Sequence, residues 1–598
     1  MRLLRPLTLL FLAAVLFTGC ATRMPTAAWV VRYDGDTPAE VDQVCTAAKT
    51  TGLDALHLQV RGRADAYYQS EIAPAGETIT GGFNPLGATL KSCAPIPIHA
   101  WLNVYYLWSG EARPADSRHP AHPSHDWIIG DADGRKVSDY TEFDRALGWL
   151  EGLYADPAAE SYRQLMAQVV TELVERYPVQ GIHLDFIRYP GTAYGQTGPL
   201  GKRFEQEWGI DPRLLPVGVT RETIDRWLGN TMPPGESVLT TAALFWAEMR
   251  AQQVTAMVRE IRTAIKKSNR PEATLSAAVF PDIDDAYLNR GQDSQAWARE
   301  GLVDSLYPMA YFGPAERVGG QLREIALHRA AGVQYWAGLG AYIKNPEQIA
   351  AEATTARDLD YDGIALFSLG HLLRKAEGVA PHVNALTDLN AGWMPQCRTA
   401  PARPPTAIPT ELATLQRIVT TASGSLPPLP DGKLAPILQA KLAELAVARD
   451  HGFAGALAEL RARPVTPPPW VELHGIFRYV HPLDPPEIRQ RQQSEAIALR
   501  NRLLEGEEFK TLAKEHSQGG SRRLGGPLGR RFLDLAQPEN AFLAELAPAT
   551  ISPVMPVENG YWLYLLDAKG QEKAAAWDTL PWPARRILFK RHVDRIMR

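Results

Sequence analysis

The stretch Gly181-Ile-His-Leu-Asp-Phe-Ile-Arg-Tyr-Pro190 brings an imidazole, a carboxylate and a guanidinium into one short segment. Side chains of a strand alternate between faces, so His183 and Asp185 share one side while Ile182, Leu184 and Phe186 share the other. Asp185 then stands where an extended segment ends, a place from which a carboxyl group can transfer a proton or attack an electrophilic carbon. Arg188 either lowers the pKa of Asp185 by proximity or holds it in a structural ion pair. An aspartate kept ionised in this way suits a nucleophile, base or stabiliser better than a proton donor. Asp65 and Asp282 each follow another extended segment and are the candidates for a second carboxyl group, with Asp65 ranked first. Asp284 and Asp285 lie further along a loop and read as solvated.

The elements that must position these groups repeat. Ahead of Gly181, apolar residues at helical spacing (Leu165, Val169, Val170, Leu173, Val174) follow Asp156-Pro157, a helix start signal. Short apolar or alternating segments are readable at 29–33, 55–60, 98–104, 181–186, 274–280, 303–309, 333–338 and 363–368, with helical patterns such as 38–50, 240–267 and 346–359 between them. Strands alternating with helices imply a parallel sheet, and eight such units fit an α/β fold of the closed (β/α)8 TIM barrel type. An open doubly wound sheet is the competitor, but no Gly-rich dinucleotide loop follows an early strand.

Within that frame, His57, Gln59 and Arg61 oppose Leu56, Leu58 and Val60, and His99, Trp101 and Asn103 oppose Ile98, Ala100, Leu102 and Val104. The apolar face should meet outer helices and the polar and aromatic face should look toward the axis. Such an interior suits a polyhydroxylated ligand, although His57, early in its strand, reads as a core histidine. The long third loop, 105–156, carries Trp108, His119, His122, His125 and Trp127, and the fourth carries Trp208; long loops on a rigid scaffold usually carry function. The histidine spacing matches no metal-ligand motif, and no metal or cofactor is called for.

The chain has 598 residues, a formal net charge of -4 and no dense basic stripe, which argues for several domains and against a nucleic-acid partner. Residues 1–20 read as a signal: Arg2 and Arg5, an apolar run, then Thr18-Gly19-Cys20. This resembles a bacterial lipoprotein signal, which implies lipid on Cys20, export, and an anchor at the periplasmic face of the outer membrane. Export permits a disulfide between Cys45 and Cys93, with buried free thiols the alternative.

Six segments carry a wider resemblance: 28–33, 59–68, 99–103, 181–190, 275–282 and 307–311 resemble the glycosyl hydrolase-like family 10 barrel, an exported bacterial family. The resemblance implies a barrel over 27–385 that cleaves glycosidic bonds, with peptidoglycan glycan strands or another envelope polysaccharide as substrate. Glycoside hydrolysis uses two carboxyl groups, or one when an N-acetyl group of the substrate assists. Asp185, with Asp65 or Asp282, would supply them. Arg61, His99, Asn103, His183, Arg188 and Tyr189 would orient the sugar, and Trp101, Tyr311 and Phe367 would offer stacking surfaces.

After the barrel, 386–409 is a Pro-rich linker and 410–465 reads as helical. Residues 466–598 resemble a small α+β parvulin-type (PpiC-like) peptidyl-prolyl isomerase, through 471–480, 507–517, 525–529, 551–554 and 559–566. His474 stands at the family's first histidine, but Gly519 falls at its Cys or Asp position and Trp562 at its second histidine. The module is therefore expected to bind protein rather than isomerise proline. The alternatives to an envelope glycosidase are a non-catalytic glycan-binding scaffold and an exported isomerase or chaperone.

Overall fold

The structure, a computed structural model, describes residues 24–375, 378–387, 411–422 and 434–597; the signal with Cys20 and nearly all of the Pro-rich linker lie outside the described residues. Eight strands form a closed, all-parallel ring: β1 (Thr26–Val30), β2 (Ala55–Arg61), β3 (Ile98–Asn103), β4 (Gly181–Asp185), β5 (Thr274–Val279), β6 (Ser305–Ala310), β7 (Gln334–Leu339) and β8 (Gly363–Leu366). Each pairs with its sequence neighbours and β8 closes on β1, the (β/α)8 arrangement. Helices start where the sequence signals them. Thr37 caps Pro38–Thr50 with a reciprocal bond to Glu40, and Asn345 caps Pro346–Asp358.

The outward sides of the strands (Leu56, Leu58, Val60, Ala100, Leu102, Ile182, Leu184) join the helices in one large apolar core. The inward sides form a separate aromatic cluster that includes Trp29, Trp101, Tyr307, Tyr311 and Ala365. Arg61 departs from the expected alternation. The ladder pairs Gln59 with Trp101 but Arg61 with Leu102, so a bulge inserts one residue and turns Arg61 to the helix-facing side. There it is 1% exposed, donates to the Ala64 carbonyl at 2.5 Å and sits beside Tyr68 and Tyr162 rather than facing the axis.

Cys45 and Cys93 are joined in a disulfide that ties together the helices following β1 and β2, across 48 residues of chain. Cross-linking a loop of this length restricts the unfolded chain, typically by about 2–4 kcal/mol. Cys45→Ser should therefore lower the unfolding free energy by about that amount, read as a lower denaturant midpoint that reductant no longer moves.

A second core is built from three distant stretches. Leu200, Phe204, Trp227, Leu239 and Leu244, from the excursion after β4 and the long helix Pro234–Lys267, pack with Leu415, Leu438 and Phe453 of the helical segment and with Phe589 and Val593 of the last helix, Trp582–Ile596. The last helix thus leaves the C-terminal module and closes onto this layer. The module itself is a four-stranded antiparallel sheet, β9 (Trp470–Tyr479), β10 (Pro527–Phe532), β11 (Met555–Val557) and β12 (Gly560–Gly570), in the order β10-β9-β12-β11. Helices Pro486–Leu504 and Phe509–His516 cover it through Leu499, Leu503, Phe509 and Leu512.

The module is fastened to the barrel. Arg317, on the helix after β6, makes two 2.6 Å bonds to Asp484, whose side chain is fully buried. Asp282, just past β5, accepts from Gln321 and faces His481 at 3.2 Å. The carboxylate of Asp282 is therefore spent on the seam between module and barrel, away from the end of β4. Among the described residues no helix is long and apolar enough to cross a membrane.

Candidate active site

Asp185 is the last residue of β4, beside Asn103 at the end of β3. Its Oδ1 accepts from the Phe186 backbone N–H at 2.6 Å, and Phe186 takes φ 47°, a left-handed conformation rare for an aromatic residue. The Trp101 indole N–H, which has no other partner, faces the same carboxyl group, and the Tyr311 phenol lies within its field. Protein surrounds the carboxyl so closely that burial raises its pKa to about 6, against the lowering pull of the Phe186 N–H, Arg188 and Trp101. The arginine does not win: Asp185 is held toward its protonated form, the state of a proton donor.

Arg188 has a different ion-pair partner. Its Nη2 is 3.4 Å from Oε1 of Glu151, which also accepts from the Tyr154 hydroxyl through Oε2 at 2.7 Å. The guanidinium lies 4.8 Å from the Phe186 ring centroid and 5.0 Å from that of Phe280, is buried, and leaves Nη1 without a partner in the protein. Glu151 is half exposed and its charge acts on Asp185, in the direction that raises its pKa. Two carboxyl groups, one from the end of β4 and one from the loop after β3, therefore flank a buried arginine. The residue patterns above do not single out Glu151. It belongs to no strand and no charge spacing ties it to Asp185; the length of its loop is the one signal that pointed there.

Asp65 is placed otherwise. It is 2% exposed and closes the turn after β2, accepting from the Arg63 N–H at 2.9 Å with the Arg63 guanidinium 4.0 Å away. Neither Asp65 nor Asp282 is among the groups that act most on Asp185.

Beneath the rim, the barrel axis holds a column of rings. Trp29 Nε1–H donates to His183 Nε2 at 3.0 Å, which leaves the proton of His183 on Nδ1 facing Ser276 Oγ at 2.9 Å. Both nitrogens are used and the ring is fully buried, so His183 is a satisfied core histidine and not a sugar contact. His57 lies 4.2 Å from it, centroid to centroid, with Tyr307 edge-on at 4.7 Å. His99, its pKa lowered by burial to about 4, stands four residues before Asn103, about 13 Å down the strand. That depth removes it from contact with a ligand at the rim. Tyr189 is also withdrawn: it is fully buried under the guanidinium of Arg250, 4.2 Å from its ring centroid. Asn103 does reach the rim, donating to the Gly62 carbonyl at 2.8 Å and accepting from Gln59, which in turn binds Arg32. Tyr311 stacks on Phe367 with centroids 5.2 Å apart.

The three loop histidines are spent on packing. His119 Nε2 meets the Arg63 carbonyl at 2.7 Å, His122 pairs with Ser124, and His125 stacks flat on Trp127. Among the described residues no cluster of His, Cys, Asp or Glu is placed to hold a metal ion.

In the C-terminal module, His474 does not join Gly519 and Trp562. It pairs with Asp567 at 2.7 Å, while the residue opposite Trp562 in the sheet is Phe477, stacked on it at 4.6 Å and beside Gly519.

Residues 27–336 match the sequence profile of the family described as Glycosyl hydrolase-like 10. The chain is 22% identical over 289 residues to glycosyl hydrolase YngK of Bacillus subtilis (strain 168), covering 44% of this chain and 46% of that protein. It is 21% identical over 283 residues to glycosyl hydrolase DigH of Escherichia coli (strain K12), covering 44% and 55%. It thus spans about half the length of these curated relatives. Among solved structures, the alpha-L-fucosidase isoenzyme 2 from Paenibacillus thiaminolyticus aligns with a TM-score of 0.40 at 13% identity, covering 62% of this chain and 49% of that one. A PpiC-type peptidyl-prolyl cis-trans isomerase domain aligns with a TM-score of 0.16 at 19% identity, covering 18% and 94%.

Proposed function

We propose, for a chain that belongs to the glycosyl hydrolase-like 10 family, that it hydrolyses the glycosidic bonds of an envelope polysaccharide, with peptidoglycan glycan strands as the substrate. Asp185 donates its proton to the leaving glycosidic oxygen, and Glu151 activates water or attacks the anomeric carbon from the other side. The observation that carries this assignment is a carboxyl group raised to about 6 at the end of β4, together with a second carboxyl group that is ion-paired to the neighbouring arginine and whose charge adds to that rise. Arg188 holds Glu151 in place from beneath, and Asn103, at the rim, orients hydroxyl groups. The exposed rings of Tyr33, Trp149 and Phe312, on the loops after β1, β3 and β6, offer faces for pyranose rings.

Export and lipidation at Cys20, placing the enzyme at the periplasmic face of the outer membrane, belong to the same proposal; the Cys45–Cys93 disulfide supports an oxidising compartment. The C-terminal module, a parvulin-like fold without its polar cluster, serves to hold a protein segment rather than to isomerise proline.

The test is incubation of residues 21–598 with purified glycan strands, with and without stem peptides, and identification of products by mass. Cleavage should yield fragments carrying one added water per bond broken. Its pH profile carries a second prediction. A proton donor must be protonated, so turnover should fall as pH rises through about 6, roughly tenfold per unit above it. A rate still rising between pH 6 and 8 would remove Asp185 from the donor role.

A further inference from the structure

The excursion that carries Glu151 is tied to the barrel side by the Arg135–Asp144 pair and by the pairing of Leu153–Tyr154 with Tyr106–Trp108, which leaves residues 145–149 as the stretch between those ties. Its helix, Glu142–Leu147, has no fully buried residue, and the chain then passes through Trp149, 65% exposed at φ 51°, before reaching Glu151. The surface against this segment belongs to the C-terminal module. A Cβ added to Gly520 would lie 2.4 Å from the Ala146 carbonyl oxygen and 3.0 Å from the Trp149 indole, and one added to Gly529 would lie 3.4 Å from the Phe143 ring. Gly520 adjoins Gly519, which faces Phe477 and Trp562. The edge of the module where a parvulin would receive a peptide is thus in contact with this chain's own backbone.

On its other flank the module is fixed to the loop after β5 and the helix after β6 by the His481–Asp282 contact and the Asp484–Arg317 pair, with Leu483 packed over Gly320. It therefore runs from the β5 and β6 side of the rim to the β3 excursion, on both sides of β4, the strand that ends in Asp185. The geometry points to the C-terminal module as the element that positions Glu151 beside Asp185, gripping residues 142–149 as it would a peptide. This rests on the glycosidase reading for its functional consequence but not for its structural one. Phe143, Gly520 and Gly529 are positioning residues: they touch neither substrate nor the reacting atoms.

Two variants test it in the full mature chain. Gly520→Val drives a branched side chain into the Ala146 carbonyl, and Phe143→Ala withdraws the ring from the module without crowding it. Amide hydrogen exchange over 142–152, followed by mass spectrometry, reads the grip directly, and the rate on glycan strands reads its consequence. Exchange in that segment should speed up roughly tenfold or more in both variants, with the barrel strands unchanged, and turnover should fall at least tenfold. The basic limb of the pH profile should also move to lower pH, because a displaced Glu151 no longer raises the Asp185 pKa. Unchanged exchange in Phe143→Ala would overturn the proposal. So would faster exchange with full turnover and an unmoved pH limb. If the wild-type chain cleaves no glycan, the glycosidase reading fails, and exchange in the two variants alone decides whether the module holds the excursion.

Discussion

Replacing Asp185 by asparagine is expected to lower turnover on glycan strands by roughly a thousandfold while leaving the protein folded, and at alkaline pH more stable than the wild type. The loss follows from the role: an amide fills the same space and still accepts from the Phe186 N–H, but it has no proton to give, and a positioned general acid is worth about 10²–10⁴ in rate. The gain in stability follows from linkage. Burial raises the carboxyl to about 6 from an ordinary 3.8, so the folded state holds this proton more tightly than the unfolded chain does. The stabilisation this brings is present below the unfolded pKa and is lost as pH rises through about 6. At pH 8 the wild type carries a half-buried carboxylate and the Asp185→Asn variant does not, a difference of at most about 3 kcal/mol for a pKa moved from 3.8 to about 6. Thermal or denaturant unfolding at pH 5 and pH 8 checks this: the variant should gain on the wild type only at the higher pH. A carboxyl group kept where it costs stability is the pattern of a functional residue, whereas a structural Asp185 would lose stability on replacement at both pH values.

The fold was largely readable because its signals are local. Period-two alternation at 55–60, 98–104 and 181–186 and caps such as Thr37 and Asn345 act within a few residues of themselves. Most strand ends were readable to within two residues, and so was Asp185 as the residue that terminates β4, but β1 spans Thr26–Val30 rather than 29–33, where the chain has already turned at Arg32. What the sequence concealed is what depends on events between strands. The bulge that turns Arg61 outward is a property of the β2–β3 ladder, invisible in the alternation of β2 alone. His99 and His183 share the inward face with Asp185, as their spacing says, but spacing along a strand carries no information on depth, and depth decides whether an inward group meets a ligand or another ring. Arg188 does pull the Asp185 pKa down, as its proximity implied, but burial outweighs that pull. Three residues of separation suggested an ion pair, while the fold gave the arginine to Glu151 and left burial to set the aspartate.

Glu151→Gln is expected to cut turnover by roughly 10²–10³, whereas Asp65→Asn and Asp282→Asn, the two carboxylates that strand position alone would favour, should each stay within about fivefold of wild type. Glutamine keeps one of the two acceptors: its carbonyl oxygen can stay on Arg188 while its amide donates to the Tyr154 hydroxyl oxygen, so the excursion need not move; what disappears is the charge that draws a proton from water or the oxygen that attacks carbon. The same substitution leaves a second mark. Glu151 raises the pKa of Asp185, so its neutralisation lets Arg188 and the Phe186 N–H pull that carboxyl lower, and the residual activity should lose its basic limb at a lower pH than wild type. Asp65 is spent on the Arg63 turn and Asp282 on the seam with the C-terminal module, and neither acts on Asp185 strongly enough to move that limb. The anomeric configuration of the first-formed product of the wild type separates the two ways Glu151 could work: retention if it attacks the sugar and water then displaces it, inversion if it only activates water. Full activity in Glu151→Gln, combined with collapse in Asp65→Asn, would move the second carboxylate to the end of β2 and leave Glu151 as the counter-ion of Arg188.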